Sequence, residues 1–145
     1  GNVIAGGIAR AKNAGLNENN FAAARFTSLG QLDTSFNGTG MVTYDFAGLN
    51  ENGRSIVAQT DGKLILTGAT QLSSSDSADF ALVRFNFDGT IDTTFGNNGR
   101  VTNNFDRSDY SNSSRLWLDP SCACEKIILA GSSQTGASFA RYTTR

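Results

Sequence analysis

The chain repeats itself at a spacing of about sixty residues, and no other feature restricts its fold as strongly. Gly1-Asn2-Val3-Ile4-Ala5-Gly6 aligns with Lys63-Leu64-Ile65-Leu66-Thr67-Gly68 and again with Lys126-Ile127-Ile128-Leu129-Ala130-Gly131. Phe21-Ala22-Ala23-Ala24-Arg25-Phe26 aligns with Phe80-Ala81-Leu82-Val83-Arg84-Phe85 and with Ala137-Ser138-Phe139-Ala140-Arg141-Tyr142. Gln31-Leu32-Asp33-Thr34-Ser35-Phe36 aligns with Thr90-Ile91-Asp92-Thr93-Thr94-Phe95, and Gly40-Met41-Val42-Thr43 with Gly99-Arg100-Val101-Thr102. Ser55-Ile56-Val57-Ala58 aligns with Ser114-Arg115-Leu116-Trp117. A unit of this size cannot bury its apolar surface alone, so successive copies must stack on one another.

Each unit reads as four short strands separated by Gly, Asn, Asp and Ser. In the middle copy the pattern predicts strands at Ser55–Gln59, Lys63–Thr70, Asp79–Asn86 and Gly99–Phe105. Asp61-Gly62 and Asp88-Gly89 sit between apolar runs, the strongest short-range hairpin signal. Phe80-Ala81-Leu82-Val83 is apolar at every position, whereas a sheet with one wet face would alternate. A strand buried on both faces is what a propeller blade has when it lies between two neighbours. The stretch Ile8–Asn19, rich in Ala, reads as a long connection with some helical character. The expected fold is therefore all-β, with propeller-like blades of four antiparallel strands spanning two full repeat periods and a ring that one chain does not close. Residues 1–53 form a partial blade of three strands, 54–112 a complete blade, and 113–145 a second partial blade of three strands. The phase suggests either a piece of a longer propeller or copies that complete one another's blades as a ring or filament. A start at Gly1 reads as a processed chain or a piece of a longer one.

Several function classes are disfavoured by composition. With 12 Lys and Arg against 13 Asp and Glu, and the Arg residues scattered, there is no basic surface for nucleic acid or an anionic membrane. No apolar run approaches the twenty or so residues of a membrane-spanning helix. The absence of His removes the serine triad and His-ligated metal chemistry and leaves a carboxylate pair as the formal catalytic possibility; because the aspartates mostly sit at turns, no enzyme activity is expected. The paired Cys122 and Cys124 are read first as two small side chains in a hairpin insert, with a strained or intermolecular disulfide as the alternative. Without His they cannot complete a zinc site. Asn37-Gly38-Thr39 and Asn112-Ser113-Ser114 are glycosylation sequons, which with the Lys-poor, Thr- and Asn-rich composition point to an extracellular or cell-surface location.

The middle copy, in Asp61-Gly62-Lys63-Leu64-Ile65-Leu66-Thr67-Gly68, Asp79-Phe80-Ala81-Leu82-Val83-Arg84-Phe85-Asn86, Asp88-Gly89-Thr90-Ile91-Asp92-Thr93-Thr94-Phe95-Gly96 and Gly99-Arg100-Val101, resembles the delta-60 repeat family. The resemblance covers essentially the whole chain. It departs in the last copy, where Asp119-Pro120-Ser121-Cys122-Ala123-Cys124-Glu125 replaces the short Asp-Gly turn. It implies a β-propeller, often in a bacterial surface-associated or large secreted protein, and brings no catalytic residues.

Recurrence also selects candidate site residues. Arg25, Arg84 and Arg141 occupy one register of an apolar strand, and Asp33 and Asp92 follow the first two at a constant offset. A buried guanidinium needs a partner, so Arg25–Asp33 and Arg84–Asp92 are predicted structural ion pairs, the alternative being a ring of anion-binding Arg. The other carboxylates (Asp45, Asp61, Asp76, Asp79, Asp88, Asp106, Asp109 and Asp119) mostly lie beside Gly, Ser or Thr and are read as turn caps. The oxygen-rich loop Asn86–Asp92 is a weak calcium candidate. Its counterpart carries Leu29 where Asp88 stands, which argues against a general calcium role. No cofactor is otherwise expected. Tyr44, Tyr110, Trp117 and Tyr142 are candidate sugar-stacking aromatics, with Trp117 assigned to the core as the equivalent of Ala58. The reading that follows is a self-assembling structural or interaction module whose partners are copies of itself or adjacent repeats, and the alternative is a lectin-like sugar-binding module.

Overall fold

The computed structural model describes residues 1–13, 16–46, 48, 50–71, 77–105 and 108–144, with the side chains of 11–17 excepted. Asp76 and Asp106 lie outside the described residues. The described residues form ten strands: β1 Val3–Asn13, β2 Leu16–Phe26, β3 Met41–Tyr44, β4 Asn50–Ala58, β5 Leu64–Gln71, β6 Asp79–Phe85, β7 Arg100–Asn103, β8 Tyr110–Asp119, β9 Cys124–Ser133 and β10 Gly136–Thr143. They make three antiparallel sheets, ordered β1-β2-β3, β4-β5-β6-β7 and β10-β9-β8, and none closes into a barrel. The fold is all-β and blade-like.

The predicted strands of the middle copy match β4 to β7 to within a few residues, except that β4 begins at Asn50. The Asp-Gly turns form as their chemistry requires. Gly62 and Gly89 adopt φ of 85° and 88°, and their amides donate to Gln59 and Asn86 at 3.0 Å. Leu29-Gly30 makes the same turn in the first copy, Gly30 donating to Thr27 at 3.0 Å.

Ile8–Asn19 is not a loop. β1 and β2 continue the ladder through Ile8↔Phe21 and Arg10↔Asn19 to Asn13↔Leu16, so cross-strand pairing overrides the helical propensity of its alanines. Two repeat alignments also shift by one residue. Strand pairing places Ile4, Ile65 and Ile128 opposite Arg25, Arg84 and Arg141, which makes Asn2 and not Gly1 the counterpart of Lys63. It likewise makes Ser113 the counterpart of Ser55 and Trp117 that of Gln59. A one-residue slip exchanges the two faces of a strand, and Trp117 accordingly leaves the core: it stands 40% exposed on the outward face of the third sheet.

A bulge recurs at the same place in β4 and β8. The pairing jumps between Gly53 and Ser55 in β4 and between Ser111 and Ser113 in β8, leaving Arg54 and Asn112 as the extra residues. Opposite each bulge a glycine is obligatory. A Cβ on Gly68 would lie 2.0 Å from the Asn52 carbonyl oxygen, and one on Gly131 would lie 1.9 Å from that of Tyr110.

Two cores separate the sheets. Between the first and second lie Phe21, Ala23, Phe36, Phe46, Leu64, Leu66, Ala81, Val83 and Phe85. Between the second and third lie Ile65, Phe80, Leu82, Phe95, Ile127 and Leu129. Alternate residues of β5 and β6 therefore serve different cores, which explains why Phe80-Ala81-Leu82-Val83 is apolar throughout. Burying each such side chain contributes roughly 1.5–3 kcal/mol.

The hairpin of β8 and β9 reaches beyond its counterpart of β4 and β5. The rungs Leu118↔Glu125 and Asp119↔Cys124 extend it, and Ala123 turns the chain with φ of 49°. Cys122 and Cys124, first read as unbridged, are brought to a Cα separation of 5.1 Å and form a disulfide.

Candidate functional site

The recurring arginines are built into the structure as latches between sheets. Arg84 Nε lies 2.8 Å from Asp92 Oδ2, and its side chain is 3% exposed. Its other nitrogens donate to the Thr94 hydroxyl at 3.5 Å and to the carbonyl of Thr144, in the third sheet's terminal segment. The guanidinium also lies over the Phe95 ring, 4.5 Å from its centroid. Arg25 repeats the arrangement one sheet earlier. Its Nε is 2.8 Å from Asp33, it donates to Ser35 at 2.8 Å and to the carbonyl of Phe87 in the turn that follows β6 of the second sheet, and it lies 4.9 Å from the Phe36 centroid. Each Arg thus joins its own sheet to the next. Arg141, the third of the series, is exposed.

Burial alone would push the Asp92 carboxyl up. The Lys63 ammonium at 2.8 Å, the Thr94 hydroxyl and amide, and the Arg84 guanidinium outweigh it and hold the group well below the usual carboxylate range. Asn2 Nδ2 takes the place of the Lys63 ammonium in the first copy, 2.8 Å from Asp33.

Most of the remaining carboxylates cap turns. Asp33, Asp61, Asp88, Asp92 and Asp119 each accept the amide two residues on, at 2.9–3.1 Å. Asp45 accepts from Gly48 at 2.6 Å, Asp79 from the Asn104 side chain at 2.8 Å, and Asp109 from the Phe105 amide at 2.6 Å. In the loop considered for calcium, Asp88 Oδ1 is held by the Thr90 amide and hydroxyl, and Asp92 by Arg84, Lys63 and Thr94.

The sugar-stacking candidates do not share a surface. Tyr44 belongs to the first core, edge-on to Phe46 at 5.2 Å, and Tyr142 packs against the second, where burial pushes its hydroxyl up to about 12. Tyr110 and Trp117 stand near opposite ends of β8. Of the sequons, Asn112 is the exposed bulge residue of β8, while Asn37 is exposed with its side-chain nitrogen donating to the Met41 carbonyl at 2.9 Å.

Two features were not legible in the chain. The first is a polar pocket of about 130 Å³ where the three sheets converge, lined by Asn19, Asn50, Glu51, Asn52, Ala69, Thr70, Gln71 and Tyr110. Glu51 is fully buried, accepts from the Thr70 hydroxyl at 3.3 Å, and has no partner for its second oxygen among the described residues. Burial, with repulsion from Asp45, pushes its carboxyl up to about 8, so at neutral pH it is mostly protonated and able both to donate and to accept. The second is the pair of outward sheet faces. On the first sheet Ala5, Gly7, Ala22, Ala24 and Met41 line an open groove of about 390 Å³, with Met41 50% exposed, and Val3, on the same face of β1, is 60% exposed. On the third sheet Phe139 is 70% exposed beside Ile128. Strand pairing makes these positions equivalent to residues of β5, β6 and β7; of these, the β5 and β6 counterparts are buried on both faces of the central sheet.

Residues 59–95 match the model of a family described as a β-propeller domain of unknown function, DUF5122. The matched segment runs from the first turn of the central sheet through β5 and β6 to the Arg84–Asp92 latch, and supports a propeller-type repeat. No curated protein matches the chain.

Proposed function

We propose that this protein is an extracellular interaction module of propeller-type repeats, of the delta-60 kind, that works by binding and not by catalysis. Its outward sheet faces take further blades of the same repeat. The observation that carries this reading is the equivalence just described: apolar positions buried on both faces of the central sheet recur on the outer sheets and are open there. Exposed apolar patches of this kind mark interaction surfaces. The Cys122–Cys124 disulfide supports an oxidising compartment, and Asn112 on its bulge offers an accessible sequon. Light scattering across a concentration series tests the reading. Particles that grow with concentration are expected, and a monomer of 15.3 kDa at every concentration would exclude it.

The polar pocket favours a second reading, sugar binding. Three Asn side chains, Gln71 and Tyr110 around a protonated Glu51 supply the paired donors and acceptors that sugar hydroxyls need. Binding on a glycan array that Glu51→Gln weakens would support it, and an array without signal would remove it.

A further inference from the structure

The two outward faces fit one another, and we propose that the protein assembles head to tail with a second copy of itself, Phe139 of one copy seated in the small-residue groove on the first sheet of the next. This rests on the blade-packing reading above. Strand pairing makes Ala23, Leu82 and Phe139 equivalent, opposite Gly6, Thr67 and Ala130. Ala23 and Leu82 point at the following sheet, and Phe139 points outward from the last. Ala23 packs in one core with Leu64 and Leu66, and Leu82 packs in the other with Ile127 and Leu129. The residues equivalent to those seats on the first sheet are Val3 and Ala5, Ala5 lining the groove and Val3 60% exposed beside it in β1.

The knob grows as its seat shrinks. The smallest knob, Ala23, meets two leucines. Leu82 meets an isoleucine and a leucine. Phe139, the largest, is left with the seat of valine and alanine. Interiors are close-packed, so a large side chain must be offset by small ones opposite. Ala137 stands where Phe21 and Phe80 stand in the other copies, which leaves Phe139 as the one aromatic side chain that β10 turns to this face. Gly7, on the floor of the groove, would have no atom within 4 Å of an added Cβ. Because knob and groove are different surfaces, the contact is heterologous and closes as a ring or continues as a filament.

Sedimentation and light scattering of the wild type, Phe139→Asp, Ala24→Trp and an equimolar mixture of the two variants test the pairing, with circular dichroism to establish that strands are kept. Both positions face solvent, and Phe139→Ala replaces the Asp variant if that one loses its strand signal. Each variant alone is expected to stay monomeric where the wild type assembles. The mixture is expected to give a one-to-one dimer that grows no further, since the Ala24→Trp copy keeps its knob and the Phe139→Asp copy keeps its groove. A mixture that stays monomeric, or a Phe139→Asp protein that assembles like the wild type, overturns the knob-and-groove pairing while leaving blade packing standing. A wild type that is monomeric throughout overturns both.

Discussion

Replacing Arg84 with Met is expected to lower the unfolding free energy by about 3–5 kcal/mol, the range for removing one partner of a buried ion pair. The variant loses the contact with Asp92, the bond to the Thr144 carbonyl and the stacking on Phe95 together. Asp92 is left buried with only Lys63 to balance it. Met fills a comparable volume, so the loss reports charge and hydrogen bonding more than packing. Adding Asp92→Asn should recover part of the loss, because Asn can still accept from the Thr94 amide and carries no orphaned charge. Urea unfolding of the two single variants and the double gives the coupling energy. A coupling near zero, or an Arg84→Met protein as stable as the wild type, would show that the pair is not what joins the sheets. Arg25→Met should cost less, since Asp33 is more exposed than Asp92 (15% against 5%) and keeps Asn2 as a partner. The depressed Asp92 carboxyl also predicts the acid limb. Its stabilisation is present above the ordinary value of 3.8 and is lost as pH falls further, through the lower folded value.

Glu51→Gln is expected to do the opposite: to stabilise the protein at pH 8 and leave it little changed at pH 5. In the folded chain burial keeps the Glu51 proton up to about pH 8, whereas the unfolded chain releases it near 4.5. Between those values the unfolded state binds fewer protons, so wild-type stability falls as pH rises, by up to about 1.4 kcal/mol per unit. The cumulative loss by pH 8 is on the order of 2–4 kcal/mol. Gln keeps the shape and the acceptor for Thr70 but has no proton to lose. Asp92 and Asp119 are held low by their cationic and hydroxyl partners, and Tyr142 is pushed up to about 12, so none of the three titrates in this window. Denaturant unfolding at pH 5, 6.5 and 8 checks the result, and parallel losses in wild type and variant would place the titration elsewhere.

Periodicity carried much of the architecture. Four strands per copy, the Asp-Gly turns and the two-faced burial of Phe80-Ala81-Leu82-Val83 all follow from local rules, because turn chemistry and side-chain alternation are short-range properties. The Arg and Asp recurrences were likewise visible as a constant offset, although the carbonyl that each Arg finds in the following sheet was not. Register was a tertiary decision. Trp117 aligned with Ala58 reads as a core residue, but its pairing with Lys126 makes it the counterpart of Gln59 and turns it to the outward face, and a one-residue difference in register leaves no local signal. The same holds for Ile8–Asn19, whose helical composition yields to a ladder with a partner strand, and for Cys122 and Cys124, which meet only because the hairpin turns at Ala123. Glu51 and its pocket depend on three sheets meeting at one place, and the face bearing Phe139 on how strands pair across the chain. The sequence by itself determined what each unit is, since a repeat writes its strands and turns locally. Only the tertiary structure decided which faces meet, because burial is a property of the stacked sheets.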